Sequence, residues 1–212
     1  MSDDRGLERE ILKDKVKKYL MDLIMTGHFE PGDRLVEIQL AKDLKVSQAP
    51  VREALCDLQQ MGIVYSERFK GTYVRKFSLD ELKDVYDVRA ELEGLAIRNA
   101  VYYITDQEID QLEMITKQMR DAAKAGDLLK QISLDNEFHE RVMILSRNQI
   151  LERVWRSLFI VSWTILGIYR YKYDKVQLAD RHLPILEAVK KRDAVKAEEE
   201  MQKHFIELKD LV

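Results

Sequence analysis

Two short helical periods separated by a polar turn run through residues 40–62. Leu40, Ala41 and Leu44 share one face of the first, and Val51, Ala54, Leu55, Leu58 and Met61 fall at i, i+3, i+4, i+7 and i+10 in the second. Lys45, Val46 and Ser47 form the turn. Ser47 is placed to cap the second helix, and Pro50 lies in its first turn, where a missing N–H costs little. Gly62 ends it. Upstream, Ile11, Val16, Leu20, Leu23 and Ile24 predict an amphipathic helix over residues 7–26, with Lys13, Lys15, Lys17 and Lys18 outside and a loose polar start at 1–6. Gly27 stops this helix, and Glu30-Pro31-Gly32-Asp33 reads as a turn. Downstream, residues 63–66 and 72–75 are β-prone runs around the polar stretch 67–71, which predicts a hairpin.

From Ser78, a plausible N-cap, the pattern is helical to the end and shows no internal repeat. Helices are predicted near 79–102, 106–125, 128–146, 149–170, 175–191 and 194–210. The breaks fall at Thr105-Asp106, Gly126-Asp127, Arg147-Asn148, near Tyr173-Asp174 and at Arg192-Asp193. The expected architecture is mainly α: a winged helix-turn-helix in residues 1–77, then an all-α six-helix antiparallel bundle in 78–212.

A helix-turn-helix with a basic hairpin tip is built to enter a DNA groove. The outer face of the second helix carries Gln48, Arg52 and Gln59, groups that address base edges or phosphates. The candidate DNA contacts are Ser47, Gln48, Ala49 and Arg52 at that helix, with Arg68, Lys70 and Gly71 at the hairpin tip reaching the minor groove or the backbone. A hairpin that only packs is the alternative. The net charge of −3 offers no general attraction to DNA. Residues 1–78 hold 14 basic against 13 acidic side chains, and residues 79–212 hold 21 against 25. DNA affinity must then come from a local basic surface.

Composition narrows the class further. A hydrophobic share of 46%, 34% charge, and only 3 Pro and 8 Gly fit a helix-rich soluble chain. The most apolar stretch, residues 158–169, is too short to span a bilayer and reads as a helix buried on all sides, with Trp155, Trp163 and Tyr169 as pocket or core aromatics. No secretion signal opens the chain, and its single cysteine, Cys56, excludes an internal disulfide. Both fit the cytoplasm. A redox switch at Cys56 lacks a second thiol to resolve it.

Several polar groups fall on core-facing stripes of the bundle. Asp135 and His139 lie with Leu128, Ile132 and Val142, four residues apart on one face. His182 lies with Ile185, Leu186 and Val189, and His204 with Ala197, Met201, Phe205 and Leu208. A carboxylate on a core face is costly unless paired or metal-bound. Asp135, His139, His182 and His204 are therefore a candidate metal set suited to Zn²⁺, Ni²⁺, Mn²⁺ or Co²⁺, with zinc the default; ordinary satisfied core polar groups are the alternative. Arg89, on a stripe with Leu82, Val85, Leu92 and Ala96, reads either as an anchor for an acidic effector or as the partner of Glu93 or Glu137.

Two resemblances follow from these residues. Pro31-Gly32, Leu40-Ala41, Val46-Ser47 and Pro50-Val51-Arg52-Glu53-Ala54-Leu55, in this register over residues 10–77, resemble the N-terminal domain of GntR-family bacterial transcription regulators. The resemblance implies operator contacts from Arg52 and the start of its helix. Members commonly carry a basic residue after the Val-Ser pair, where this chain has Gln48, a side chain that reads adenine bidentately. Asp135, His139, Asn148, His182, Asp193, Ala197 and His204, over residues 79–210, resemble the FCD effector domain of the FadR-type branch of that family. That resemblance implies a divalent metal at Asp135, His139, His182 and His204, and a small organic acid reaching it from a neighbouring pocket.

The expected function is a transcriptional repressor rather than an enzyme. It is expected to be a cytoplasmic homodimer on a short palindromic operator, away from membranes, released by a small carboxylate effector. Two alternatives stay open. A metalloenzyme could use an Asp/His₃ site to activate water, but Met143 stands where the zinc-protease HExxH pattern needs its second histidine, and no Gly-rich phosphate loop is present. A metal sensor would treat the ion itself as the signal.

Overall fold

The structure, a computed structural model, describes residues 3–76, 78–158, 164 and 174–210, with side chains from residue 11 onward. The chain divides into two compact units, Met1–Phe77 and Ser78–Val212.

The first unit opens with α1 (Asp3–Met25), which packs against α3 (Gln48–Gln60). The helix starts earlier than its apolar period suggests. Val16, Leu20 and Met21 are its buried residues, while Ile11 is exposed and Leu23 and Ile24 are half-buried. The buried stripe therefore keeps Val16 and Leu20 of the expected line and adds Met21. α2 (Glu37–Leu44) is joined to α3 through Lys45, whose φ of 55° turns the chain in the left-handed region. Val51, Ala54, Leu55 and Leu58 of α3 are buried as their spacing predicts.

The hairpin is β2 (Val64–Glu67) and β3 (Gly71–Val74), antiparallel with Val64 opposite Val74 and Glu67 opposite Gly71. A third strand, β1 (Arg34–Leu35), pairs with the other edge of β3, giving the order β1-β3-β2. Two residues after a Pro-Gly turn carry no readable period. The open edge of β3 selects them, with Gly32 donating to the Val74 carbonyl and Val74 donating to that of Asp33.

The second unit contains α4 (Leu79–Val101), α5 (Asp106–Ala125), α6 (Leu128–Leu145), α7 (Gln149–Ser157), α8 (Lys175–Asp180), α9 (Leu183–Lys190) and α10 (Ala194–Asp210). The punctuation is chemical. Ser78 with Glu81, and Thr105 with Glu108, close reciprocal capping boxes, and Asp127, Asn148 and Asp174 cap α6, α7 and α8 through their side chains. Gly126 ends α5 in the left-handed conformation. α10 packs along α4, α5 along α6, and α9 against α10, enclosing a core centred on Leu82, Ile97, Phe138, Ile185 and Phe205.

One expected helix is two. Residues 175–191 break into α8 and α9 with Arg181 and His182 between them. Pro184, in the first turn of α9, has no N–H to return to the Asp180 carbonyl, and its ring would crowd that carbonyl in a continuous helix. The predicted extension of α7 to residue 170 lies outside the described residues except for Thr164, which is helical.

Candidate metal centre and DNA-contact surface

The break before α9 places His182 at the N-cap of that helix, facing α6 and α10. Its Nδ1 lies 3.1 Å from the Ala179 carbonyl, and its Nε2 lies 3.3 Å from Nε2 of His139. Asp135 Oδ1, one turn before His139 on α6, lies 3.4 Å from His182 Nε2 and 3.9 Å from His139 Nε2. The His204 ring, from α10, completes the cluster, and the ligand atoms of the three histidines lie within 4.8 Å of one another. The three histidines named by periodicity thus meet at one point from three separate parts of the unit, with Asp135 against two of them.

All three histidines are buried, and Asp135 keeps a minor opening to the adjoining pocket. Burial alone would raise the Asp135 carboxyl. The hydrogen bond to His182, with His139 and Arg89 close by, instead holds it at about 2. Burial holds the His204 imidazole well below its ordinary value, and its Nδ1 has no hydrogen-bond partner among the described residues. A neutral buried imidazole with a free nitrogen, beside an ionised carboxylate, is a ligand set for a cation.

Arg89 lies beside this cluster on α4, where the ion-pair reading with Glu93 holds. It pairs with Glu93, Nε to Oε1 at 2.7 Å, and its guanidinium stacks 4.3 Å from the Phe205 ring centre. Glu137 is instead paired with Arg141 near the surface. Arg89 Nη2 is buried and has no hydrogen-bond partner among the described residues. Arg89 lines a pocket with Tyr86, Gln131, Asp135, Thr164 and His204. Gln131 Nε2 donates to the Lys175 carbonyl at 2.7 Å, which leaves its buried Oε1 as an unpartnered acceptor. Trp155 is core rather than pocket lining, and its Nε1 donates to Glu93 Oε1 at 2.8 Å. Trp163 and Tyr169 lie outside the described residues. Glu93, fully buried, is the central group the periodicity offered only as a partner for Arg89.

In the first unit Ser47 occupies the N-cap of α3 with extended backbone, but its side chain makes no capping bond. Pro50, third in α3, has no N–H to offer such a cap. Gln48, Ala49 and Arg52 are exposed on the same end, and Arg52 forms a solvent-facing pair with Glu37 at 3.0 Å. Gln59 departs from expectation: its Oε1 accepts from the Ser66 hydroxyl at 2.7 Å, turning it toward the sheet. At the hairpin tip Arg68 and Lys70 are exposed, Lys70 next to Glu67 at 2.8 Å. Gly71 has φ of 122°, and a Cβ there would come 2.8 Å from Arg34 Nε, so the tip needs glycine. Between the two cations stands Phe69, 94% exposed and in the left-handed region, with Arg68 over its ring. The basic reading of the tip passed over it, although a bare aromatic at a hairpin apex was visible in the sequence.

Family models match both units: "Bacterial regulatory proteins, gntR family" over residues 12–74 and "FCD domain" over residues 84–207. The chain is 34% identical over 198 residues to an "Nta operon transcriptional regulator" of Aminobacter aminovorans, covering 90% of this chain and 91% of the other. It is 28% identical over 186 residues to the "HTH-type transcriptional repressor RspR" of Escherichia coli, covering 86% and 80%. Among solved structures, "E. coli McbR/YncC" superposes with a TM-score of 0.63 at 24% identity, covering 93% and 96%, which speaks to the fold. Among the described residues, no helix is long and apolar enough to cross a membrane. With a winged helix-turn-helix before an all-helical FCD domain, the chain belongs to the gntR family of bacterial regulatory proteins and is a DNA-binding transcriptional regulator.

Proposed function

We propose that this regulator is a cytoplasmic repressor whose operator affinity is set by a small organic acid bound beside a divalent metal, zinc before nickel or manganese. The observation that carries this reading is the meeting of Asp135, His139, His182 and His204, with two imidazole Nε2 atoms 3.3 Å apart. The residues present fit a metal. One carboxylate oxygen and three imidazoles are a donor set for borderline cations, and the buried Nδ1 of His204 has no partner among the described residues. When bound, the ion supplies a Lewis-acid charge that attracts a carboxylate oxygen.

The remaining steps belong to the chain. Arg89 Nη2, buried and without a partner among the described residues, offers a charge-assisted anchor for the acid, and Gln131 Oε1 accepts from a donor on it. Acid binding biases the arrangement of the effector unit, and the DNA-reading units of a homodimer follow that bias as a coupling free energy. Two copies of α3 read the half-sites of a short palindrome, with Ser47, Gln48, Ala49 and Arg52 at the major groove. Arg68, Lys70 and Gly71 carry the wing to the minor groove or backbone.

The test is fluorescence anisotropy on a duplex selected from random sequence. Binding is compared with chelator, with zinc, and with zinc plus mono-, di- and tricarboxylates. At least one acid is expected to weaken binding about tenfold or more, the scale of ordinary allosteric coupling, and only in the presence of zinc. Affinity that follows zinc alone would make the ion the signal. Affinity indifferent to both, in protein that holds zinc, would overturn the reading.

A further inference from the structure

Glu93 is fully buried on α4, one turn after Arg89, and its two oxygens face different partners. Oε1 accepts from Arg89 Nε at 2.7 Å and from Trp155 Nε1 at 2.8 Å. Oε2 lies 2.5 Å from Nδ1 of His139 as a close contact, and neither of these two atoms has a hydrogen-bond partner among the described residues. One oxygen is therefore clamped by two donors from α4 and α7, while the other addresses a single ring nitrogen on α6.

We infer that Glu93 is a positioning residue that selects the tautomer of His139 and so sets the metal affinity of the cluster, an inference that rests on the metal reading above. A neutral imidazole carries one N–H and one lone pair, and the partner of one nitrogen decides what the other presents. With its N–H on Nδ1 toward Glu93, His139 presents a lone pair at Nε2. That is the atom 3.3 Å from His182 Nε2 and 3.9 Å from Asp135 Oδ1. The opposite tautomer would aim an N–H into the cluster. A stability role alone is a poor account of the arrangement, because a buried ion pair generally contributes no more than well-packed apolar side chains of the same volume. A carboxylate behind a histidine ligand also raises its basicity and holds its ring.

The test uses the full chain, ¹⁵N-labelled at histidine, as wild type, Glu93→Gln, and the charge-free pair Arg89→Met/Glu93→Leu in case the single variant folds poorly. Two quantities are read: the His139 tautomer in zinc-free protein by ¹⁵N NMR, and Zn²⁺ affinity by chelator competition. The wild type is expected to show Nδ1–H at His139. The variants are expected to lose that preference and to bind zinc about 10- to 100-fold more weakly at unchanged stoichiometry. Zinc affinity and tautomer equal to wild type in a folded variant would overturn the role of Glu93 and leave the metal site standing. A wild type that binds no zinc would remove the metal reading. The tautomer comparison would then decide the rest: a preference lost in the variants upholds the positioning of His139, and an unchanged one overturns it.

Discussion

His139 and His182, 43 residues apart in sequence, bring their Nε2 atoms to 3.3 Å within a buried polar cluster set in the apolar core. Two ring nitrogens at that distance share either a proton or a cation. Asp135 Oδ1 stands within 4 Å of both. The account therefore predicts that Asp135→Ala removes the acid response of DNA binding while leaving DNA affinity itself within a few-fold of wild type. Anisotropy titrations with and without the active acid check this. An Asp135→Ala protein that has lost its metal yet still answers the acid would sink the proposed link.

Three buried groups give the metal-free protein one direction of acid sensitivity. Burial would raise Glu93, but the charges of Arg89 and His139 hold it at about 2, and Asp135 is held at about 2 by His182 and His139. Burial holds His204 well below 6.5. Each group binds its proton more weakly in the folded chain than in the unfolded one, so stability falls as pH falls. The His204 contribution declines below its ordinary 6.5, and the carboxylate contributions decline from 4.5 and 3.8 toward about 2. Thermal denaturation of zinc-free protein should show the midpoint falling from about pH 7 to about pH 5. His204→Gln should flatten that limb.

The Arg89–Glu93 pair gives a stability prediction of its own. Arg89→Ala leaves the Glu93 charge buried without its cation, at a cost of about 3–5 kcal/mol. Arg89→Met/Glu93→Leu removes both charges at similar volume and should recover most of that loss. Urea denaturation of the three proteins measures the difference. A double variant as unstable as Arg89→Ala would show that the charges themselves hold the unit together.

At the DNA surface, Arg68→Ala and Lys70→Ala should weaken binding similarly on all sequences. Each should make the salt dependence shallower by about one unit of slope. Arg52→Ala should also relax base preference if it reads a base edge, at about 1–3 kcal/mol. Gly71→Ala meets both a φ of 122° and the Arg34 side chain, and should destabilise the wing by about 1–3 kcal/mol. Anisotropy against salt concentration and thermal denaturation separate these effects.

Much of this molecule was legible because its breaks are chemical and its stripes are clean. Ser78, Thr105, Gly126, Asn148 and Asp193 mark their helix ends by capping chemistry that sequence displays. His139, His182 and His204 sit on faces a 3.6-residue period identifies, so their convergence needed only the packing of α6, α9 and α10. What escaped depends on partners distant in sequence. β1 exists because β3 has a free edge, Gln59 turns to Ser66 across the wing, and Glu93 is central because Trp155 and His139 reach it from other helices. The break at Pro184 was legible and was overridden by an apolar stripe that continues through it.

Zinc content after loading and exhaustive dialysis tests the central claim most directly. Elemental analysis of the wild type should give one zinc per chain. Asp135→Ala and His204→Ala should give none while their circular dichroism stays helical. A folded wild type that retains no zinc, nickel or manganese under the same treatment would contradict the account and reduce the four residues to a polar cluster in the core.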